Sequence, residues 1–469
     1  MGRAVGGRRG GRFLSLAIAL LVLGGVLSQV RIRPAARPER DASELLALRD
    51  RDDVNVVFVL VDTLRADHLG CYGYERDTSP ILDRFAEVGV RFARVRAQSS
   101  YTKTSMASIW TAANPPGHGI YRYSHALAEG LRLPAEIFRD AGFATAGIYR
   151  NGWVAPNFGF GQGFDVYVRP APSADPVRAQ RRAPGAPALK GTDLDVTEAA
   201  VEFLRGHAHR RFLLYLHYMD VHQYLYEEES ALFGTRYVDA YDNAIHWTDR
   251  NLGRLFKELV DLGVMDRTLV VIASDHGEAF YEHGSEGHAR NLYAEVTLVP
   301  LVLSLPFRLP QPVVVEPLVR NIDIWPTVLD LLGLPPLPGA EGRSLVPLIL
   351  AAARGEPQEP LAPRTAEAAL DLTWGRVGAE PTVEFSVTEW PWRLLAIPSD
   401  PDLVQLYQLA EDPGEQRDLA GAHPELVARL LPRVEAAVAG EPLPGAREEV
   451  ELDEMRLQQL RALGYVIKR

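Results

Sequence analysis

The sequence is short of cysteine. Cys71 is the only cysteine among 469 residues, so no disulfide can form within the chain. Its neighbours (LGCYGY, residues 69–74) include no base that would activate a thiol. We therefore expect Cys71 to be a small, buried packing residue rather than a nucleophile.

Lysine is scarce, with only four in the chain, and acidic residues outnumber basic ones outside the N-terminus. The formal net charge is −11; the first 40 residues contribute +7 through eight arginines and one glutamate, so the rest of the chain carries −18. A protein that binds nucleic acid needs a basic face. An acidic body argues against a nucleic-acid partner.

The N-terminus has no charged residue between positions 13 and 30, and four arginines precede this apolar run. Such a pattern is typical of a signal segment or a membrane anchor, although 18 residues barely suffice to span a bilayer. No small-x-small cleavage site is evident, which favours an uncleaved transmembrane anchor. We predict an anchor or signal segment over 1–30, a linker over 31–53 and an exported body, periplasmic or extracytoplasmic. A buried N-terminal helix is the alternative.

Continuous apolar runs alternate with helical patterns along the body. Residues 54–61 (VNVVFVLV) are β-branched and aromatic throughout, as in a strand that is buried on both faces. The alternation predicts an α/β fold, with a large, mixed, mostly parallel sheet flanked by helices over 54–350. A tract rich in proline and alanine follows, so we predict a linker over 351–375 and a smaller C-terminal α+β subdomain over 376–469.

Carboxylates and histidines follow two of the predicted strands. Asp62 comes directly after the first run, and Asp275 and His276 follow a second one, VVIAS. Open α/β folds place their sites at such strand ends. Two carboxylates there would repel each other unless a cation lay between them. We therefore predict a divalent metal site, with a solvated loop of hydrogen-bonded histidines as the alternative; carboxylate and imidazole ligands suit Mn, Zn or Mg better than Ca, without excluding Ca.

A turn rich in hydroxyl groups, residues 98–105 (QSSYTKTS), leads into a short predicted helix. Its hydroxyls are suited to capping the helix. Thr102 is also placed to act as a nucleophile, because the amides and the dipole of a helix N-terminus favour an anion. After another strand, residues 217–222 (HYMDVH) offer His222, either as a loop anchor or as a group that binds an anionic oxygen or protonates a leaving group.

Several short motifs, in this order along the chain, resemble the sulfatase family of the alkaline phosphatase superfamily. They are NVVFVLVDTLRADHLGCYG (55–73), TKTSMASIWT (102–111), MDVH (219–222), SDHGE (274–278) and DIWPTVLDLLG (323–333). The resemblance implies that Asp62, Asp275 and His276 bind one divalent metal ion, that Thr102 stands at the nucleophile position, and that His222 and His288 touch the substrate anion. It also implies a large α/β domain with a small C-terminal subdomain.

The match departs from sulfatases proper at the nucleophile. Those enzymes carry a Cys or Ser, converted to formylglycine, within a Cys/Ser-x-Pro-x-Arg pattern; this chain reads TKTSM at residues 102–106. Their usual second Asp after the first strand is Thr63 here. A Thr nucleophile resembles the phosphodiesterase, phosphatase and phosphotransferase branches. We predict that Lys103 replaces a missing cation and that Lys103 and His283 contact the substrate.

The leading hypothesis is a membrane-tethered, metal-dependent hydrolase or transferase. Its substrate would be a phosphate or sulfate ester of a small molecule, a lipid headgroup or a glycan. One alternative is a true sulfuric-ester hydrolase that uses an unmodified Thr102. Another is a catalytically impaired protein that binds an anionic glycan or lipid. A second metal ion, bound with the help of His222, His283 or His288, also stays open.

Overall fold

The computed structural model of the protein describes residues 37–172, 178–179, 191–358, 365–440, 442–443 and 445–451. The predicted N-terminal segment, 1–30, lies outside these ranges. Within the described ranges, no helix is both long and apolar enough to cross a membrane.

A nine-stranded sheet forms the body of the protein. Its strands, numbered in chain order, are β1 Asn55–Val61, β2 Val90–Arg96, β3 Ala144–Tyr149, β4 Val166–Val168, β5 Phe212–Tyr218, β6 Thr268–Ala273, β7 Leu298–Val299, β8 Leu301–Ser304 and β9 Val313–Arg320. Their spatial order is β7-β2-β8-β6-β1-β5-β3-β4, and β9 pairs with β2. Only β7 and β8 pair antiparallel with their neighbours. The predicted mixed, mostly parallel sheet is confirmed.

The central strand explains where polar groups can converge. β1 pairs in parallel with β5 on one side and with β6 on the other. Every residue of β1 is buried, which agrees with a sequence that is apolar from Val56 to Val61. Because the three strands run the same way, the residues that follow them meet at one edge of the sheet.

Helices cover both faces of the sheet. The longer ones are α1 Pro80–Val88, α2 Thr102–Thr111, α3 Pro134–Asp140, α4 Asp193–His207, α5 Tyr237–Asp261, α6 Ile324–Leu331, α7 Val346–Ala353 and α8 Pro424–Ala439. Two large hydrophobic clusters, one on each face, form the core.

An aromatic cluster fixes α2 on the sheet. The ring of Trp110, in α2, lies 6.0 Å from Phe58 of β1, 5.1 Å from Tyr215 of β5 and 5.0 Å from Trp325 of α6. All ten residues of α2 are buried. Because large aromatic rings dominate the energetics of a core, the start of α2 is held firmly at the sheet edge.

A four-stranded antiparallel sheet follows the body: β10 Ala366–Asp371, β11 Val383–Glu389, β12 Trp392–Ile397 and β13 Asp400–Gln408. Helix α8 packs on it through Leu430 and Val434, which confirms a small C-terminal α+β unit. β10 falls inside the range expected to be a linker, 351–375. Part of the other expected linker, 31–53, also packs on the body, with Leu45 and Leu48 buried.

Two further expectations differ from the structure. The sequence pattern did not reveal β2 (VRFARVR) because its three arginines mask the apolar residues, yet Val90, Phe92 and Val95 are buried. Cys71 is half-buried rather than buried, and burial, followed by the charge of Asp83, raises the pKa of its thiol. A thiol that resists ionisation agrees with a packing role.

Candidate active site

Three predicted metal ligands meet at the edge of the central strands. Asp62 follows β1, and Asp275 and His276 follow β6, each fully buried. One potential ligand atom from each side chain lies within 4.8 Å of the others. The parallel pairing of β1 with β6 brings these groups together although more than 200 positions separate them in the chain.

One oxygen of Asp62 is fully engaged and the other is not. Its Oδ2 accepts hydrogen bonds from Asn151 Nδ2 at 2.6 Å and from His217 Nε2 at 3.0 Å. A carboxylate can only accept, so His217 Nε2 carries the imidazole proton, and Tyr215 OH, 2.7 Å from His217 Nδ1, donates to that nitrogen. Asp62 Oδ1 is buried without a hydrogen-bond partner.

Asp275 shows the same asymmetry. Its Oδ1 accepts from the backbone N–H of Thr63 at 3.3 Å, while Oδ2 is buried without a hydrogen-bond partner. Thr63 has a φ of 63°, a strained conformation for a β-branched residue. The hydroxyl of Tyr241, which donates to Thr63 O at 2.6 Å, holds it there. The strained conformation of Thr63 thus orients its backbone N–H towards the Asp275 carboxylate.

The ring of His276 directs a lone pair towards these carboxylates. Its Nδ1 lies 2.9 Å from Gly277 O, and a carbonyl can only accept, so Nδ1 carries the proton. Nε2 is then an acceptor, 3.0 Å from Thr102 Oγ1, 3.3 Å from Asp275 Oδ2 and 3.8 Å from Asp62 Oδ1. Two carboxylate oxygens that lack hydrogen bonds and one imidazole lone pair form a donor set suited to a divalent cation.

Electrostatics reinforce this conclusion. Burial, and next the charge of Asp62, raise the pKa of Asp275. Burial also disfavours the charged form of Asp62, but His222, His217 and His276 outweigh it and lower its pKa. Two carboxylates this close in a buried site destabilise each other's charged forms. A cation between them would remove that penalty.

Thr102 is the first residue of α2, with Tyr101 as the N-cap. Its hydroxyl donates to His276 Nε2 at 3.0 Å. Ser105, one turn later, donates to Asp275 O at 2.6 Å and ties the helix start to the end of β6. The structure therefore brings the predicted nucleophile together with the predicted metal ligands.

His222 and His288 lie beside this group. The ring centroid of His288 is 4.5 Å from that of His276 and 4.8 Å from that of His222. Burial opposes the charged form of His288, but Glu278, whose Oε2 is 2.7 Å from His288 Nδ1, raises its pKa above the ordinary value. Burial lowers the pKa of His222 to about 4. Both histidines line a cavity of about 510 Å³, together with Tyr281, Glu286 and Arg290 among others.

Two models of known protein families match overlapping parts of the chain. A family model described as "Sulfatase" matches residues 54–334, more than half of the chain. The chain belongs to the sulfatase family. A second model, "N-sulphoglucosamine sulphohydrolase, C-terminal", matches residues 282–437.

Individual relatives of this sulfatase-family protein are distant. Arylsulfatase A of Homo sapiens is 26% identical over an alignment of 465 positions, which covers 84% of this chain and 91% of that protein. Arylsulfatase K of Gallus gallus is 31% identical over 189 residues, 39% of this chain and 33% of that protein, so the matched region spans about a third of that relative. The solved structure of phosphonate monoester hydrolase from Agrobacterium radiobacter has a TM-score of 0.65 at 18% identity, covering 86% and 98% of the two chains, and supports the fold.

Two predicted substrate contacts of this sulfatase-family protein have other partners in the structure. Lys103 Nζ donates to Tyr123 O at 2.6 Å and lies 3.4 Å from the centroid of the Phe158 ring. Burial places its pKa well below the ordinary value. His283 contacts Glu295 and Glu415, near the C-terminal sheet. Neither residue joins the group around Asp62.

Sequence reasoning missed three residues that orient the ligands: Asn151, Tyr215 and Glu278. Asn151 comes two positions after β3, and the rule that sites follow parallel strands could have found it. Glu278 lies within the quoted motif SDHGE, but its partner His288 is ten residues away. Tyr215 is buried inside β5, where nothing in the sequence separates it from a core residue.

Proposed function

We propose that this sulfatase-family protein is a metal-dependent hydrolase of a phosphate or sulfate ester and that Thr102 is its nucleophile. The observation that carries the proposal is the position of Thr102 Oγ1, 3.0 Å from His276 Nε2, the nitrogen whose lone pair would bind the ion. It lies beside two buried carboxylate oxygens without hydrogen bonds. A structural capping threonine would not need this setting.

Asp62, Asp275 and His276 would hold one divalent ion, and Mn, Zn or Mg suits their mixed donor set better than Ca. When bound, the ion supplies a Lewis acid that favours an ionised hydroxyl and offsets negative charge on an ester. Around it, His217 and Asn151 fix the orientation of Asp62 through its other oxygen. Ligands held in this way need no reorganisation when substrate binds.

The remaining roles belong to the helix and the histidines. The N-terminus of α2, with ten residues, would favour negative charge at Thr102. His288, hydrogen-bonded to Glu278, would carry positive charge next to the ester anion. His222, neutral because burial lowers its pKa to about 4, would contact the ester through a hydrogen bond. The domain division at 351–375, export and membrane attachment through the N-terminus complete the proposal.

The test uses the purified full-length protein with p-nitrophenyl phosphate, bis-p-nitrophenyl phosphate and p-nitrophenyl sulfate, with and without added Mn, Zn or Ca. Bound metal is measured by elemental analysis. We expect about one ion per chain and turnover of at least one ester. Hydrolysis of the sulfate alone would assign the enzyme to sulfuric esters; absence of metal and of turnover would refute the proposal.

Variants at two threonines of α2 test the nucleophile. Thr102→Ala should lower kcat/KM at least about a thousandfold, because it removes the attacking oxygen, while Thr102→Ser should keep measurable activity. Thr111→Ala is the matched control, since the hydroxyl of Thr111 donates only to Ala107 O in the same helix, at 2.8 Å. Full activity in Thr102→Ala would exclude Thr102 as nucleophile.

A further inference from the structure

The cavity next to the proposed catalytic group is bordered by a small β-hairpin. Its strands, Ala279–Phe280 and Glu286–Gly287, are only two residues long. His288 follows directly, and Tyr281 and Glu286 line the cavity. Two paired residues on each side give a hairpin little stability of its own. Its position, and that of His288, must therefore depend on contacts outside it.

His283, near the tip of the hairpin, makes such contacts with both ring nitrogens. Nδ1 lies 2.9 Å from Glu295 Oε1, and Nε2 lies 2.9 Å from the backbone oxygen of Glu415. Both partners are acceptors. A neutral imidazole has a single N–H and can satisfy only one of them, whereas an imidazolium satisfies both. The His283 side chain is 11% exposed, so water compensates poorly for a lost bond.

The partner on the far side of the contact is held rigidly. Glu415 is 1% exposed, and its carboxylate accepts from Arg393 Nη1 at 2.6 Å and from Ala294 N at 2.9 Å. Arg393 belongs to β12 of the C-terminal sheet. His283 thus connects the hairpin to a buried ion pair of the C-terminal unit.

The other groups that face His283 define what proton loss would do. Tyr293 stacks on the ring at a centroid distance of 3.7 Å, and Arg96 approaches Glu415 at 3.6 Å. The amide nitrogen of Gln416 is 3.2 Å from His283 Nε2. A deprotonated Nε2 would accept from this exposed amide and lose the buried Glu415 carbonyl.

We propose that His283 is a positioning residue: its imidazolium form joins the active-site hairpin to Glu295 and Glu415, and loss of its proton loosens the hairpin, which keeps the ion pair of Glu282 with Arg65. The effect on turnover rests on the function proposed above, but the contact itself does not. The shift in its pKa has the same sign: burial opposes the charged form, and the Glu415 carbonyl and Glu295 outweigh it, so the pKa lies above its ordinary value of 6.5. We call the two contacts of His283, with Glu295 and with the Glu415 carbonyl, the latch. Both contacts are present at acidic pH, and one is lost as pH rises.

The test compares the full-length wild type with His283→Gln and with His423→Gln. His423 is a matched control, because it also contacts a carboxylate, Glu425, at 3.2 Å but is 39% exposed and lies in the C-terminal unit. Histidine NMR spectra, assigned with the variants, should give His283 a pKa above 6.5, and Glu295→Gln should lower it. In the wild type, the protection factors of amide hydrogens in peptides covering 279–288 should fall when the pH exceeds that pKa. In His283→Gln, these protection factors should be low at every pH.

The activity readout separates two failures. With an active ester, kcat/KM of His283→Gln should fall roughly ten- to a hundredfold, mostly through KM, and should lose the alkaline decline of the wild type. His423→Gln should match the wild type. If no ester is hydrolysed, the proposed function fails while NMR and hydrogen exchange still decide the latch. A His283 pKa at or below 6.5, or exchange unchanged by His283→Gln, would overturn the latch.

Discussion

Replacing Asp275 with asparagine should stabilise the metal-free protein while weakening metal binding. Asp275 and Asp62 are both buried, and each has one oxygen without a hydrogen bond. The introduced asparagine would keep the carbonyl oxygen that accepts from Thr63 N. Its amide would remove a negative charge from the pair and offer a donor to the remaining carboxylate.

The magnitude follows from the separation of the ligand atoms, which is at most 4.8 Å. At an effective dielectric constant of about 20, two unit charges at that distance repel by roughly 3 kcal/mol. Burial, and next the charge of Asp62, raise the pKa of Asp275, which has the same sign as this repulsion. We expect the free energy of unfolding of Asp275→Asn to exceed that of the wild type by about 1–3 kcal/mol without metal.

Added metal should make the free energy of unfolding of the wild type larger than that of Asp275→Asn. An ion present at about 100 times its Kd stabilises the protein that binds it by about 2.7 kcal/mol. The wild type should gain this amount, whereas Asp275→Asn, with one ligand charge lost, should gain far less. The stability curves of the two proteins should therefore cross as metal is added.

Urea unfolding monitored by tryptophan fluorescence, in EDTA and then in increasing Mn or Zn, measures both effects. Asp52→Asn, at an exposed position, controls for the loss of one negative charge. If Asp275→Asn were less stable than the wild type in EDTA and gained as much from metal, the metal site inferred from Asp62, Asp275 and His276 would be wrong.

Two further predictions concern the fold. Asp249 is buried and accepts hydrogen bonds from two first-turn amides of α1, and burial is the main cause that raises its pKa to about 7. Its contribution to the free energy of unfolding is therefore present below about pH 4 and is lost as pH rises through about 7. The loss is roughly 4 kcal/mol at most. Asp249→Asn should flatten the pH dependence of urea unfolding over that range, and an unchanged slope would contradict the assignment. Trp325→Ala should lower the free energy of unfolding by about 3–5 kcal/mol, because Trp325 is fully buried between Phe58 and Trp110. Trp390→Ala, at a residue that is 40% exposed, should cost much less, and equal losses would argue against a central role for the cluster.

Much of the fold and part of the site could be predicted from the chain alone. The apolar run of β1 and the composition of β6 are properties of consecutive residues, because a strand buried on both faces is predominantly apolar. Asp62, Asp275 and His276 directly follow those strands, so a rule about strand ends was enough to group them. Thr102 was identifiable from its place in the hydroxyl-rich turn and from the family resemblance.

The surroundings of these groups were beyond the reach of sequence. Asn151, Tyr215 and Glu278 contact the site because of strand order and helix packing, which bring distant positions to one edge. The contacts of Lys103 with Tyr123 O and Phe158, and of His283 with Glu415, likewise depend on how the chain folds back on itself.

The sequence by itself therefore determined the central strands β1 and β6 and the charged groups that end them, since these depend on neighbours along the chain. Only the tertiary structure decided which oxygen of Asp62 and of Asp275 lacks a hydrogen bond, which nitrogen of His276 carries its proton, and which acceptors face His283. Each of these depends on directional contacts of a few ångströms between residues far apart in sequence, and no local pattern specifies such contacts.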